Sequence, residues 1–450
     1  MDQSPRQGLR EAVSGGVVAP DWADISAIAR CEAALERIAQ ENDRIAALTD
    51  VLREAAMQEA RDVDRKVADG LDAGPLAGWT VVIKDNIDTV PARCSSGLSF
   101  LQDRRPGSDA EVVSRLRRAG AVIVGVAATD SGAFGVTTPA VTNPLFPKLV
   151  AGGSSGGSAA AIAAGLCVLG VGTDTGGSVR IPAACCGVVG FKPTKGRLPM
   201  KGVRPLAPTV DHVGLLAANV KRIRHAFESI DPAGARLAIG HPPRPDQLVA
   251  GVAQGFYGDA HDSVQESMVA TIVALKAMGI GIQTVDIGSP DEIVSAHVIL
   301  ALSDAAMAHA QDVDRVPLSS YPEIAQEGIR LGQSYSDAQR TRAVQIRDAF
   351  EAKVDRALTE VDVIVLPTLP VPPPDRDATS VSLSGRATDL LSALIRYTCA
   401  FDQTGHPVIA LPAPSRNALS PASVQFVGRK NGDADLLSVA EQAEAHLKNR

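Results

Sequence analysis

The chain has 450 residues, enough to bury a large core, and its 44 Lys and Arg against 51 Asp and Glu leave a formal net charge of −7. That balance argues against a nucleic-acid surface, and an aromatic content of 3% argues against base-stacking platforms. The longest apolar run, Ala159 to Gly172, is too short and too glycine-rich to span a bilayer, so no membrane is expected as a partner.

Taken in order, the chain opens on M-D-Q-S-P-R-Q-G-L-R-E, which lacks the apolar stretch of a secretory signal. Helical spacing then predicts helices over Asp24 to Ala39 and Asp43 to Val67, wrapping the core as an N-terminal segment of about 70 residues. Thr80 to Ile83, a helix near Ser108 to Ala119, and Ala121 to Ala127 follow with a β–α–β rhythm. That rhythm predicts an α/β fold with a central mixed, mostly parallel twisted sheet covered by helices on both faces. A helix is expected at Ala159 to Ala164 and a strand at Val188 to Phe191. Past Asn219 the spacing predicts helices over Asp262 to Met278, Pro290 to Ala310 and Ser336 to Leu358, then buried strands at Val361 to Leu366 and Val408 to Leu411. Val371 to Asp375, V-P-P-P-D, reads as an extended surface loop, and the tail after Asp433 as an amphipathic helix. With no composition break and no internal repeat, 1–450 is read as one domain: helical wrap 1–70, motif-bearing core 76–216, variable helical region 230–385.

Cysteines at 31, 94, 167, 185, 186 and 399 include no C-x-x-C pair and read as reduced, mostly buried thiols of a cytoplasmic protein. The histidines are scattered without ligand spacing, so neither metal nor cofactor is expected.

The chemistry concentrates between Gly152 and Gly190. Ser154 lies in G-G-S-S-G-G-S and Ser178 in T-D-T-G-G-S-V-R. A glycine pair before a serine removes the side chains that would crowd a ligand and opens backbone conformations closed to other residues. A serine needs a base, and no histidine stands nearby; Lys84, at the end of the apolar run Val81 to Ile83, is the alternative if burial and neighbouring cations keep it neutral. The N–H groups of Thr175, Gly176, Gly177 and Ser178 offer an oxyanion hole. Nucleophile, base and oxyanion hole together describe acyl transfer. A flexible linker is argued against by the helix that follows at once, a P-loop by Gly157 where its lysine belongs, and an α/β-hydrolase elbow by the prolines of N-P-L-F-P-K-L-V.

The series K-D-N, G-G-S-S-G-G-S, G-T-D-T-G-G-S-x-R-x-P-A and G-x-K-P-T-x-G-R resembles the amidase signature family, closely from Leu76 to Leu216 and with weaker echoes to Gly428. The resemblance implies a Ser–cis-Ser–Lys triad: Ser178 as acyl nucleophile, Ser154 as bridging serine after a cis peptide bond, and Lys84 as base. It assigns Ser155, Asp174 and Arg180 to bracing the two loops, the last two as an ion pair. It also places Gly132 and Ala133 beside the bound amide. The expected reaction is hydrolysis of a small-molecule carboxylic amide to acid and ammonia, with no nucleic-acid partner and a homodimer left open. The alternative is the glutaminase subunit of a tRNA-dependent amidotransferase. The branch that holds glutamine resembles R-x-M-L-G with a later Asp; here the corresponding residues read E-G-I-R-L-G, Glu327 to Gly332, and Arg396. Other departures are V-P-A-R-C-S-S-G after Lys84, the loop Thr129 to Pro144, and Leu215 in place of a proline. Asp211 and His212 are expected to be structural.

Overall fold

A computed structural model describes residues 25–231, 244–417 and 419–447. In chain order its strands are β1 Leu48–Val51, β2 Thr80–Lys84, β3 Val122–Ala127, β4 Leu169–Asp174, β5 Val189–Lys192, β6 His212–Ala217, β7 Val249–Val252, β8 Gly281–Thr284, β9 Val363–Pro367, β10 Ser380–Leu383, β11 Arg386–Asp389, β12 Val408–Ala413 and β13 Ala422–Val427. Eleven of them form one sheet in the order β1-β3-β2-β4-β6-β5-β12-β13-β9-β7-β8, and β10 and β11 form a separate hairpin. The sheet is mixed, as expected. Its parallel pairings lie in two blocks, β3–β2–β4 and β8–β7–β9, and the strands between them run antiparallel.

Both faces are covered, which is why the inner strands read as unbroken apolar runs. Successive side chains of β2 alternate: Val81 and Ile83 join the larger hydrophobic cluster, while Val82 packs on the opposite face with Ala159, Ala160 and Leu35. By the same period, Lys84 shares the face of Val82, the face on which the helix Gly156–Ala163 lies.

The expected helix from Asp43 to Val67 is two elements. Leu48–Val51 pairs antiparallel with β3 as an edge strand, and the helix begins only at Arg53. The preceding helix, Ala27–Ile45, is capped by the Ser26 hydroxyl accepting from the Ala29 N–H; Asp24 and the chain's opening residues lie outside the described residues. The helices at Asp262–Ala277, Pro290–Ala308 and Asp337–Glu360 stand close to their expected places. The V-P-P-P-D segment is not a surface loop. Val371, Pro373 and Pro374 are buried, and the Pro374 carbonyl accepts from the Val150 N–H. All six cysteines are buried and free. Among the described residues no helix is long and apolar enough to cross a membrane.

Candidate active site

Three segments converge at one end of β2 and β4. Lys84 ends β2, Asp174 ends β4, and the loop 152–155 leads into the helix Gly156–Ala163. Lys84 Nζ donates to Ser154 Oγ at 2.7 Å and to Thr173 Oγ1 at 2.8 Å, and Asn86 Nδ2 donates to the same threonine hydroxyl at 3.1 Å. The Gly153–Ser154 peptide bond is cis. The Ser154 carbonyl accepts from the Asp130 N–H at 3.2 Å and from Thr129 Oγ1 at 3.0 Å. The next residue closes the gap between the motifs: the Ser155 N–H donates to the Ser178 carbonyl at 3.1 Å, and Ser155 Oγ donates to the Thr173 carbonyl at 3.2 Å. Ser154 is fully buried, whereas Ser178 keeps 7% of its surface, and no hydrogen bond engages its hydroxyl among the described residues.

Lys84 is fully buried, and desolvation lowers its pKa from 10.5 to about 7. The expectation that neighbouring cations share in this is corrected. The charged groups nearest in effect are Asp130, Asp174 and Asp211, all of which pull the value up. Burial alone therefore lowers the value. Asp130, which the sequence reading passed over, is itself raised to about 6 by desolvation, against the Gly135 N–H that donates to it and the charge of Lys84.

The loop that carries Ser178 is braced from inside. Burial works against ionising Asp174, but Arg180 beside it prevails and holds the carboxyl far below the usual range. Arg180 makes a two-pronged contact with Asp174 (Nε to Oδ2 3.0 Å, Nη2 to Oδ1 2.9 Å), as expected. It also reaches residues that no motif announced: Asp402 Oδ2 at 2.7 Å, the Thr398 carbonyl at 2.9 Å and Gln425 Oε1 at 3.3 Å. Burial pushes Asp402 well above the ordinary carboxylate range, against the pull of the Arg180 charge. Asp211 accepts from Thr175 Oγ1 at 2.7 Å and from the Leu206 and Ala207 N–H groups, and His212 lies buried 3.6 Å from Asp402.

Two expectations for the donors change. The Gly177 N–H points back to Asp174 Oδ1 at 2.6 Å, so it is spent inside the loop. The N–H groups of Thr175, Gly176 and Ser178 have no acceptor among the described residues. Gly177 has φ 128° and an added Cβ would stand 2.3 Å from Thr398 Oγ1, so the loop requires glycine there. Gly132 and Ala133 are buried in the loop that supports Ser154, but their N–H groups donate to the Ser96 and Asp130 carbonyls and are not free for an amide. A cavity of about 380 Å³ lined by Ser263, Glu266, Leu369, Pro373 and Arg416 contains none of Lys84, Ser154, Ser178 and the residues bonded to them, so it is the convergent chemistry that marks the site.

The comparisons with known proteins agree on the architecture. A family model described as Amidase matches residues 29–437. A glutamyl-tRNA(Gln) amidotransferase subunit from Carboxydothermus hydrogenoformans is 31% identical, covering 94% of this chain and 95% of its own length. The protein of the same name from Haloarcula marismortui is 32% identical over 83% of this chain and 97% of its own. A crystal structure described as an amidase superposes with a TM-score of 0.86 at 29% identity, covering 99% of this chain and 100% of that one. These relatives overturn the expectation of a lone enzyme whose sole partner is a small amide and which has no link to nucleic acid. Both curated relatives are named as one subunit of a glutamyl-tRNA(Gln) amidotransferase. Net charge describes a chain's own surface, and it does not report what an assembly around that chain handles. Lys84, the two glycine–serine loops and the matched length together place the chain in the amidase signature family.

Proposed function

We propose that the chain hydrolyses a carboxylic amide through an acyl-enzyme on Ser178. Neutral Lys84 takes a proton from Ser154 as Ser154 takes one from Ser178, and the Ser178 oxygen attacks the amide carbon. The N–H groups of Thr175, Gly176 and Ser178 hold the oxyanion. The same relay returns its proton to the departing nitrogen, and water repeats the path in reverse to free the acid. The observation that carries this reading is the contact between a fully buried Lys84 and Ser154, on a loop whose next residue is bonded to Ser178.

For the amide itself, the curated relatives favour glutamine, with the chain working as the amide-hydrolysing subunit of an amidotransferase. One observation favours a different amide. Arg396, where the glutamine-holding branch resembles an Asp, is engaged by Asp259 at 2.5 Å and Asp291 at 2.7 Å, and Gly328 in E-G-I-R-L-G lies against the Phe134 ring.

The test is ammonia release from glutamine, asparagine and a panel of aliphatic, aryl and arylacetic primary amides, beside Ser178→Ala. Loss of turnover by at least about 10⁴-fold in the variant is expected. Full activity in Ser178→Ala would overturn the assignment, and the preferred amide decides between the two readings.

A further inference from the structure

One polar side chain beside the nucleophile loop has no part in the relay. His297, on the helix Pro290–Ala308, is 5% exposed, and its Nε2 lies 3.0 Å from the point where a Cβ on Gly176 would stand. The carbonyl of that same glycine accepts from Thr398 Oγ1 at 2.6 Å. The imidazole therefore borders the residue whose N–H is one of the free donors.

The ring's other nitrogen is held. Gln403 Nε2 lies 3.0 Å from His297 Nδ1. In this orientation of the amide its N–H₂ donates to Nδ1, which sets the ring proton on Nε2. The helix Cys399–Thr404 that carries Gln403 also carries Asp402, which Arg180 grips, and Gln403 Oε1 is buried without a partner among the described residues. Nε2 has no partner among the described residues. Unlike both nitrogens of His212, it is not among the polar atoms sealed from solvent. Burial lowers the pKa of His297 to about 4, with Arg180 adding to the effect, so the ring is neutral near pH 7.

Beyond Gln403, Thr398 and the charges of Arg180 and Asp174, the neighbours are apolar. Val294 and Val298 flank His297 on its own helix and pack against the cluster of Leu394, Ile395 and Ile181. Ile395 Cγ2 stands 3.6 Å from the same Gly176 Cβ position. A single N–H set in an apolar wall reads one feature of a ligand: an acceptor atom at a fixed distance from the scissile carbonyl.

We propose that His297 is a specificity-determining residue, that its Nε2–H donates to an acceptor atom in the acyl portion of the amide, and that Gln403 positions it by fixing the tautomer. The substrate class is an amide with an apolar acyl body bearing one oxygen or nitrogen acceptor near the carbonyl. This rests on the amide-hydrolysis reading above.

The experiment uses matched pairs of primary amides that differ by one ether or ketone oxygen against a methylene. The wild type should prefer the acceptor-bearing member, and His297→Phe should lower the ratio of kcat/KM between members by about 10- to 100-fold. His297→Gln, which returns an N–H at similar reach, should restore much of the ratio. Gln403→Leu should lower it by less than His297→Phe does. A ratio unchanged in His297→Phe, or a glutamine variant no better than phenylalanine, overturns the proposal. The same pairs are titrated by calorimetry into Ser178→Ala with and without His297→Phe. A binding ratio that depends on His297 without turnover in the parent supports the proposal and counts against hydrolysis alone. Binding that ignores His297, or no binding at all, overturns the proposal.

Discussion

Replacing Lys84 with methionine should end catalysis and, at neutral pH, make the protein more stable. Burial lowers the lysine from 10.5 to about 7 in the folded state. The unfolded chain then binds this proton more tightly than the folded one, so the group's contribution to stability falls as pH drops from 10.5 towards 7 and levels off below. At about 1.36 kcal/mol per pKa unit, the lysine costs the folded state about 4 kcal/mol at pH 7 and about 1 kcal/mol near pH 9.5. Methionine fills similar space without charge. It forfeits the hydrogen bonds to Ser154 and Thr173, together about 2 kcal/mol. The variant should therefore be about 2 kcal/mol more stable than the wild type at pH 7 and about 1 kcal/mol less stable near pH 9.5. Urea unfolding followed by far-ultraviolet circular dichroism at the two pH values reads both numbers, with equal m-values as the control. A variant less stable at pH 7, or a difference that does not move with pH, would refute the reasoning.

The same ionisation should appear in the kinetics: kcat/KM should rise with pH and level off above about 7. In Asp130→Asn, which removes the first of the charges holding Lys84 up, the midpoint of that rise should move to lower pH; a midpoint that stays or rises would contradict the link. Arg180→Met leaves the buried charge of Asp174 without its partner, so urea unfolding should report a loss of about 3 to 5 kcal/mol. A loss under about 1 kcal/mol would mean that the clamp is not what holds the loop.

The two serines and the lysine were legible because each sits in a short local pattern. Ser154 and Ser178 follow glycine pairs, and Lys84 ends an apolar run. What braces them was legible only in part: Ser155, Asp174 and Arg180 lie in the same motifs, but Asp402 and Gln425 reach Arg180 from the far end of the chain, where nothing in the spelling sets them apart. His297 stayed hidden for the same reason, as a lone histidine in an apolar helix is more often packed than functional. In the fold, β4 was obscured by the glycines in L-G-V-G-T-D, and β1 by its four residues lying inside a helical periodicity. The free cation imagined near Lys84 failed on a general ground: burial needs no charged helper to lower a lysine.

The grip of Arg180 also sets an order of assembly during synthesis. The guanidinium meets Gln425 across 245 positions of the chain and Asp402 across 222. A ribosome that has already released Ser178 must still make more than half of the protein before Gln425 can join the contacts of Arg180. The growing chain therefore completes the buried grip on Arg180 only with its last strands.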